Sequence, residues 1–160
     1  YKFVNRTSFK NKGGIIVTLI SYEDFKKLPE YNEFIQSNPD VGNLKVEAFT
    51  AYRAIPVSEV NIIVSKDIGD YKVIFFNGFT DSSGMISKIE LPAPASVSSS
   101  QKPEYTVYDL AAIHEGYETI KRYGIGMFGG VNVIQYVKMN PEVILEGDMQ
   151  NGSYSSYYSN

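Results

Sequence analysis

Cysteine is absent from all 160 residues, which excludes disulfides, thiolate metal sites and a cysteine nucleophile. Histidine occurs once, at His114. No histidine pair therefore exists to hold a metal, and at most one histidine-based proton relay can form. Basic charge is scarce as well. The 15 Lys and Arg are outnumbered by 18 Asp and Glu, giving a formal charge of -3, and the basic residues are dispersed rather than gathered into a stripe. Nucleic acid is not expected as a partner. No run approaches the ~18 apolar residues of a membrane-spanning helix; the longest, Gly13 to Ile20, is short enough to be a strand. An initiator Met is missing too. The expectation is that the chain begins inside or downstream of a longer product, after a removed leader, an upstream domain or a cut.

What is present is aromatic and β-branched. With 13 Tyr, 9 Phe, 43% hydrophobic and 21% charged residues, the composition favours strands over disorder or coiled coil. The length suits one domain able to bury about two thirds of its unfolded surface.

Residues 1–12 read as a solvated leader or edge strand, and IIVTLI after Gly13-Gly14 reads as a strand. Ser21 then offers a helix N-cap, and Phe25, Leu28, Tyr31 and Phe34 recur at helical spacing over 21–37. Pro29 interrupts this segment, which predicts a kink or two short helices with Pro29 in the first turn of the second. Asn38-Pro39-Asp40-Val41-Gly42 is the stop. From Asn43 the period becomes two. Strands are predicted over Leu44–Phe49, Val60–Ser65, Tyr71–Phe79, Met85–Leu91, Tyr105–Ile113, Glu118–Arg122 and Val131–Met139. Turns are expected at Ile55-Pro56-Val57 and at Lys66–Asp70; Pro92-Ala93-Pro94 should stop a strand, and ASVSSSQKP should be a surface loop. The Tyr-rich residues 142–160 read as a solvated tail or a docking segment.

The order of these pieces resembles the carboxypeptidase-regulatory-like, or prealbumin-like, β-sandwich domains of Gram-positive bacterial proteins. Leu44-Lys45-Val46 with Ile55-Pro56-Val57 and Val60 matches the opening strand and turn; Thr80-Asp81 with Gly84 matches a T-D-x-x-G hairpin; Tyr105-Thr106-Val107 before Gly116-Tyr117 matches a Y-x-V…x-G-Y corner. Leu91–Pro94, Tyr105–Asp109, Gln135 and Met139–Pro141 are similar to a clostridial variety that includes non-catalytic N-terminal regions of spore cortex-lytic enzymes. The resemblance covers Gly42 to Pro141 and implies an accessory module of an exported protein, with no catalytic set travelling with it.

Sites of chemistry are few. Gly124-Ile125-Gly126-Met127-Phe128-Gly129 spells G-x-G-x-x-G, but a β-rich run rather than a helix follows it, so a turn between two strands is expected in place of a phosphate cradle. His114 lacks a nucleophile-elbow serine. Asp67 with Asp70, or Asp81 with Ser82 and Ser83, lacks the series of an EF-hand loop. Glu47, Glu59, Glu90, Glu104 and Glu118 are candidate carboxylates for glycoside cleavage with no preferred pair. An isopeptide bond, known in related surface modules, would draw on Lys45, Glu118 and Asn132 or Asn140, yet Lys45 alternates to the polar side.

The fold expected is an all-β dominated, about seven-stranded Greek-key prealbumin-like sandwich over 42–141. It carries an N-terminal strand and helical extension over 1–41 and a tail over 142–160. The function expected is that of a non-catalytic structural or binding module. Its location would be extracellular, at the cell wall or spore, and its partner peptidoglycan or another envelope or spore protein, with no metal and no cofactor. Thr80, Asp81, Gly84, Gly116 and Tyr117 are the expected structural corners. An accessory or pro-domain of a peptidoglycan hydrolase and a small two-carboxylate carbohydrate-active enzyme are the alternatives.

Overall fold

In the computed structural model, residues 7–10, 16–51, 53–96 and 102–143 are described. They form β1 (Thr7–Lys10), β2 (Ile16–Ser21), α1 (Tyr22–Phe25), α2 (Glu30–Ser37), β3 (Asp40–Thr50), β4 (Ile55–Pro56), β5 (Asn61–Ile68), β6 (Tyr71–Phe79), β7 (Met85–Ala93), β8 (Thr106–Ile113), β9 (Ile120–Met127) and β10 (Asn132–Lys138). That makes ten strands where about seven were expected, one of them the two-residue β4. They lie in two sheets. The first has the order β1-β2-β6-β5-β8-β9; the second has β10-β3-β4, with β7 also paired to β3. No helix among the described residues is long and apolar enough to cross a membrane.

Alternation along the strands decides which residues meet between the sheets. Leu44, Val46 and Ala48 of β3, Ile89 and Leu91 of β7 and Val137 of β10 face Ile62 and Val64 of β5, Leu110 and Ala112 of β8 and Met127 of β9, all buried in one cluster. Tyr108 joins them at 1% exposure, and its hydroxyl donates to the Pro92 carbonyl across the sandwich at 2.6 Å. That bond ties the two sheets and satisfies a phenol that has no access to water.

The N-terminal strand is part of the architecture. Its β2 runs parallel to β6, Thr18 opposite Tyr71 and Ser21 opposite Ile74, and so widens the first sheet. The helices follow the expected break: Ser21 caps α1 by accepting from the Asp24 N–H at 3.1 Å, and Pro29 stands at the N-cap of α2. There its missing N–H costs nothing. Phe25 and Phe34 are buried against Ile20 and Val73, with Tyr22, Leu28, Tyr31 and Phe75 packed around them. Phe75 belongs to both clusters: it stacks on Tyr22 at 4.5 Å and meets Tyr108 edge-on at 5.0 Å.

Several local expectations are corrected. The Thr80–Gly84 segment joins no hairpin, because β6 and β7 belong to different sheets; it is a crossover between layers. Lys66 and Asp67 remain in β5, leaving Gly69 at φ 58 to turn the chain. Pro92 and Ala93 extend β7 opposite Val41 and Asp40, which proline permits at an outer strand. Gly124 and Gly126 lie inside β9 rather than in a turn. A register shift opposite Asp109 lets Gly124 take φ 70 and donate its N–H to Asp109 Oδ1 at 3.1 Å, a bulge that glycine makes inexpensive. The Ile55-Pro56-Val57 turn is in part a strand, Pro56 pairing with Phe49. Most of the ASVSSSQKP loop and the tail lie outside the described residues.

Candidate ligand-contact face

On the solvent face of the second sheet, exposed and half-buried side chains of β3, β10 and the β3–β4 hairpin meet. Parallel pairing of β10 with β3 sets Ile134 beside Lys45, Tyr136 beside Glu47 and Lys138 beside Phe49; residues of one parity share a face. Phe49 and Tyr136 meet edge-on at 6.3 Å. Over them leans Arg53, its guanidinium carbon 4.1 Å from the Tyr136 centroid and 5.8 Å from that of Phe49. Glu47 accepts Lys45 Nζ at 3.1 Å and lies 3.8 Å from Arg53. Arg53 is delivered by the β3–β4 hairpin with φ 70, and Ala51 in the same hairpin has φ 50. Both lie in the left-handed region that L-residues avoid by about 1–2 kcal/mol. The guanidinium thus lies within cation–π distance of both rings.

Two shallow recesses flank this cluster. One, of about 400 Å³, is lined by Asn43, Lys45, Ser87, Lys88, Asn132 and Ile134; the other, of about 290 Å³, by residues that include Glu47, Phe49, Arg53 and Met85. In the first, Asn43 donates to Asn132 Oδ1 at 3.1 Å, while its own Oδ1 has no partner among the described residues. The face carries Lys45, Lys88, Arg53 and Lys138 against Glu47 and Glu90, a local excess of cations on a chain whose formal charge is -3.

A further recess, of about 530 Å³, lies elsewhere, lined by Ser37, Asn38 and Pro94 with Lys102 to Thr106. Asn38 there donates to the Phe34 carbonyl at 2.9 Å. This serves as a helix C-cap, and of the carboxylates only Glu104 reaches the lining.

The residues singled out by sequence fall into separate places. Thr80 is buried, donates to Val57 O at 2.8 Å and accepts the Val60 N–H at 3.0 Å. Asp81 Oδ1 accepts the N–H groups of Ser83 and Met85, each at 2.9 Å. Gly84 has φ 73, and a Cβ there would collide with the Ala48 carbonyl and lie 3.0 Å from Pro56 Cβ. Gly116 has φ 82 in the β8–β9 loop, with open space around it. Tyr117 is half-buried at the edge of the core, bridged to Pro141 and edge-on to His114 at 5.2 Å.

His114 Nδ1 lies 2.6 Å from the Glu115 carbonyl, so the ring is engaged locally. Asp67 pairs with Lys72 at 3.5 Å; Glu90 pairs with Lys88 at 2.8 Å. Glu59 sits at φ 59 before β5, and the Glu118 N–H bonds the Asn140 carbonyl at 2.8 Å. Among the described residues no group of three or more His, Asp and Glu is arranged to hold a metal. Lys45 stands on the outer face, paired with Glu47, away from the interior that an isopeptide bond would need.

Sequence reading missed Arg53, Phe49 and Tyr136 as a unit. Their contact depends on the parallel β3–β10 register, a pairing of residues about ninety apart that periodicity alone does not reveal. It missed Lys66 as well. That side chain lies 5.7 Å from the Tyr108 ring and donates to Val107 O at 2.9 Å. Burial pulls its ammonium below the usual lysine value, against the attraction of Asp109 and Asp67.

No family model matches the chain, and no curated protein matches it. Among solved structures, the Bacillus anthracis TIE protein is similar at 18% identity and a TM-score of 0.45, over 64% of this chain and 17% of that one. The chain spans a small part of that protein's length.

Proposed function

We propose that this chain is a non-catalytic, prealbumin-like β-sandwich module of an exported envelope or spore-associated protein, and that it contacts its ligand through the outer face of the second sheet. The observation that carries the reading is Arg53: a non-glycine residue at φ 70 lays its guanidinium on an exposed tyrosine beside Phe49 and Glu47. Backbone strain of this kind gathers where a side chain must be held for use. An aromatic–cation cluster at the surface, with Arg53 over Tyr136 and Lys45 beside Glu47, suits an anionic polymer. Peptidoglycan, with sugar rings to pack on aromatic edges and carboxylates to meet Arg53 and Lys45, is the ligand class we assign.

The prealbumin-like part of the proposal is supported by seven strands, β3 and β5 to β10, in two facing sheets whose first and last members, β3 and β10, are parallel neighbours. A role beside a separate peptidoglycan hydrolase is compatible with the same face and differs only in what else the full product carries.

The test is co-sedimentation of the purified chain with peptidoglycan, beside a hydrolase assay on the same material. Binding that falls at least tenfold in Arg53→Gly and Tyr136→Ala, without turnover, supports the proposal. Equal binding by both variants refutes the site. Turnover abolished by replacing a carboxylate pair would refute the non-catalytic reading and favour the carbohydrate-active alternative.

A further inference from the structure

Sheet edges invite pairing with another chain unless something blocks them. Here the described edges differ in how they are guarded. The β9 edge carries Lys121 and Arg122 and the Gly124 bulge. The β7 and β4 side carries Pro56, Lys88 and Pro92, with a register shift opposite Leu44 to Val46. The β10 edge carries a single charged residue, Lys138 at its end. It runs seven residues without proline, glycine or bulge, in unbroken register with β3 from Asn132–Asn43 to Lys138–Phe49.

Hydrogen bonding fixes which groups of β10 face outward. Asn43 N–H donates to Val131 O at 3.0 Å, and Met139 N–H donates to Phe49 O at 2.8 Å. Odd-numbered residues therefore address β3, and the N–H and C=O groups of Asn132, Ile134, Tyr136 and Lys138 point away from the sheet. Gln135 Nε2 donates back to the Tyr136 carbonyl at 2.9 Å, covering one of these outward acceptors with a side chain. Ile134 is 48% exposed and Tyr136 39% exposed beside that edge.

We infer that β10 pairs antiparallel with β10 of a second copy of this chain, about a two-fold axis at Gln135. Of the registers that match outward groups to outward groups, this one sets Ile134 against Tyr136 of the other copy and Asn132 against Lys138. It opposes no like charges and covers two exposed apolar side chains per copy. A register centred on Ile134 would set Tyr136 against Asn132. One centred on Tyr136 would set Ile134 against Lys138. The strand thus reads nearly as its own complement, as an isologous contact requires. The inference rests on the edge and not on the ligand assigned to the outer face.

In this register the two Gln135 residues form a non-hydrogen-bonded pair, whose Cα atoms lie about 4.5 Å apart, within the span of a disulfide. The chain has no cysteine, so Gln135→Cys introduces a single thiol. The experiment combines this variant with charge reversal, read by size-exclusion chromatography with light scattering. Wild type is expected to be a dimer at high concentration, Gln135→Cys to form a disulfide-linked dimer at least tenfold faster than Lys88→Cys, and Ile134→Glu and Tyr136→Lys each to be monomeric. The double variant Ile134→Glu/Tyr136→Lys sets opposite charges across the axis and should recover the dimer. A monomeric wild type with no preferential cross-linking at position 135 overturns the inference, as does a dimer that survives both single substitutions.

Discussion

The sharpest stability test compares two glycines with the same backbone twist and different surroundings. Gly84 has φ 73 and Gly116 has φ 82. Giving either a Cβ incurs the left-handed penalty of about 1–2 kcal/mol. At Gly116 nothing lies within 4 Å of the added atom, whereas at Gly84 it meets the Ala48 carbonyl, Pro56 Cβ at 3.0 Å and Val57 N at 3.1 Å. These are backbone and ring atoms that cannot swing aside. Ala48 N–H also bonds the Gly84 carbonyl at 2.7 Å, so moving the crossover away breaks its tie to β3. Overpacking adds about 1–3 kcal/mol, and Gly84→Ala should cost about 2–5 kcal/mol in total. Gly116→Ala should cost only the first part. At roughly 2–4 °C per kcal/mol for a chain of this size, the two melting temperatures should separate visibly. Urea unfolding of both variants measures the difference. Equal losses, or a larger loss at Gly116, would refute the claim that the crossover is pinned beneath β3.

Other outcomes follow from the interior. Tyr108→Phe removes the bond to the Pro92 carbonyl and leaves that acceptor without its donor, so urea unfolding should show a loss of about 1–3 kcal/mol; no loss would mean the sheets are not tied there. Burial raises the phenols of Tyr108 and Tyr22, the latter also through its bond with Tyr31. The folded state therefore holds these protons more tightly than the unfolded chain, whose phenols titrate near 10. Their stabilisation is complete below pH 10 and is lost as pH rises above it. Absorbance at 295 nm should show two tyrosines ionising only as the circular dichroism signal collapses, and one fewer in Tyr108→Phe. Lys66 has the opposite sign: its folded value is depressed, so its charge costs stability near neutrality, and that cost fades as pH rises toward the usual 10.5. Any stability advantage of Lys66→Met should thus be greatest near pH 7 and shrink toward pH 10 in parallel urea titrations; an advantage independent of pH would contradict the cause given.

Local pattern carried much of the architecture. Alternation in Leu44, Val46 and Ala48, and in Val60, Ile62 and Val64, marked the core-facing sides correctly because each strand has one buried face. The helix break at Pro29 and the cap at Ser21 were legible for the same reason: they depend on neighbours in sequence. What depends on distant partners was not legible. Thr18 pairing with Tyr71 turned an expected extension into part of the first sheet. The separation of β6 from β7 into different layers made a crossover of an apparent hairpin, and Asp109 drew Gly124 into a bulge. The outer face shows the limit most clearly. Phe49, Arg53 and Tyr136 are unremarkable in the sequence, and only the β3–β10 register brings them together.

Whether that face binds ligand is measured most directly by a map of backbone amide shifts on titrating the labelled chain with soluble peptidoglycan fragments. Saturable shifts concentrated at Lys45, Glu47, Phe49, Arg53, Ile134 and Tyr136, and lost in Arg53→Gly, are the predicted result. Shifts confined to the recess around Asn38, Glu104 and Tyr105, or none at any concentration reached, would contradict it.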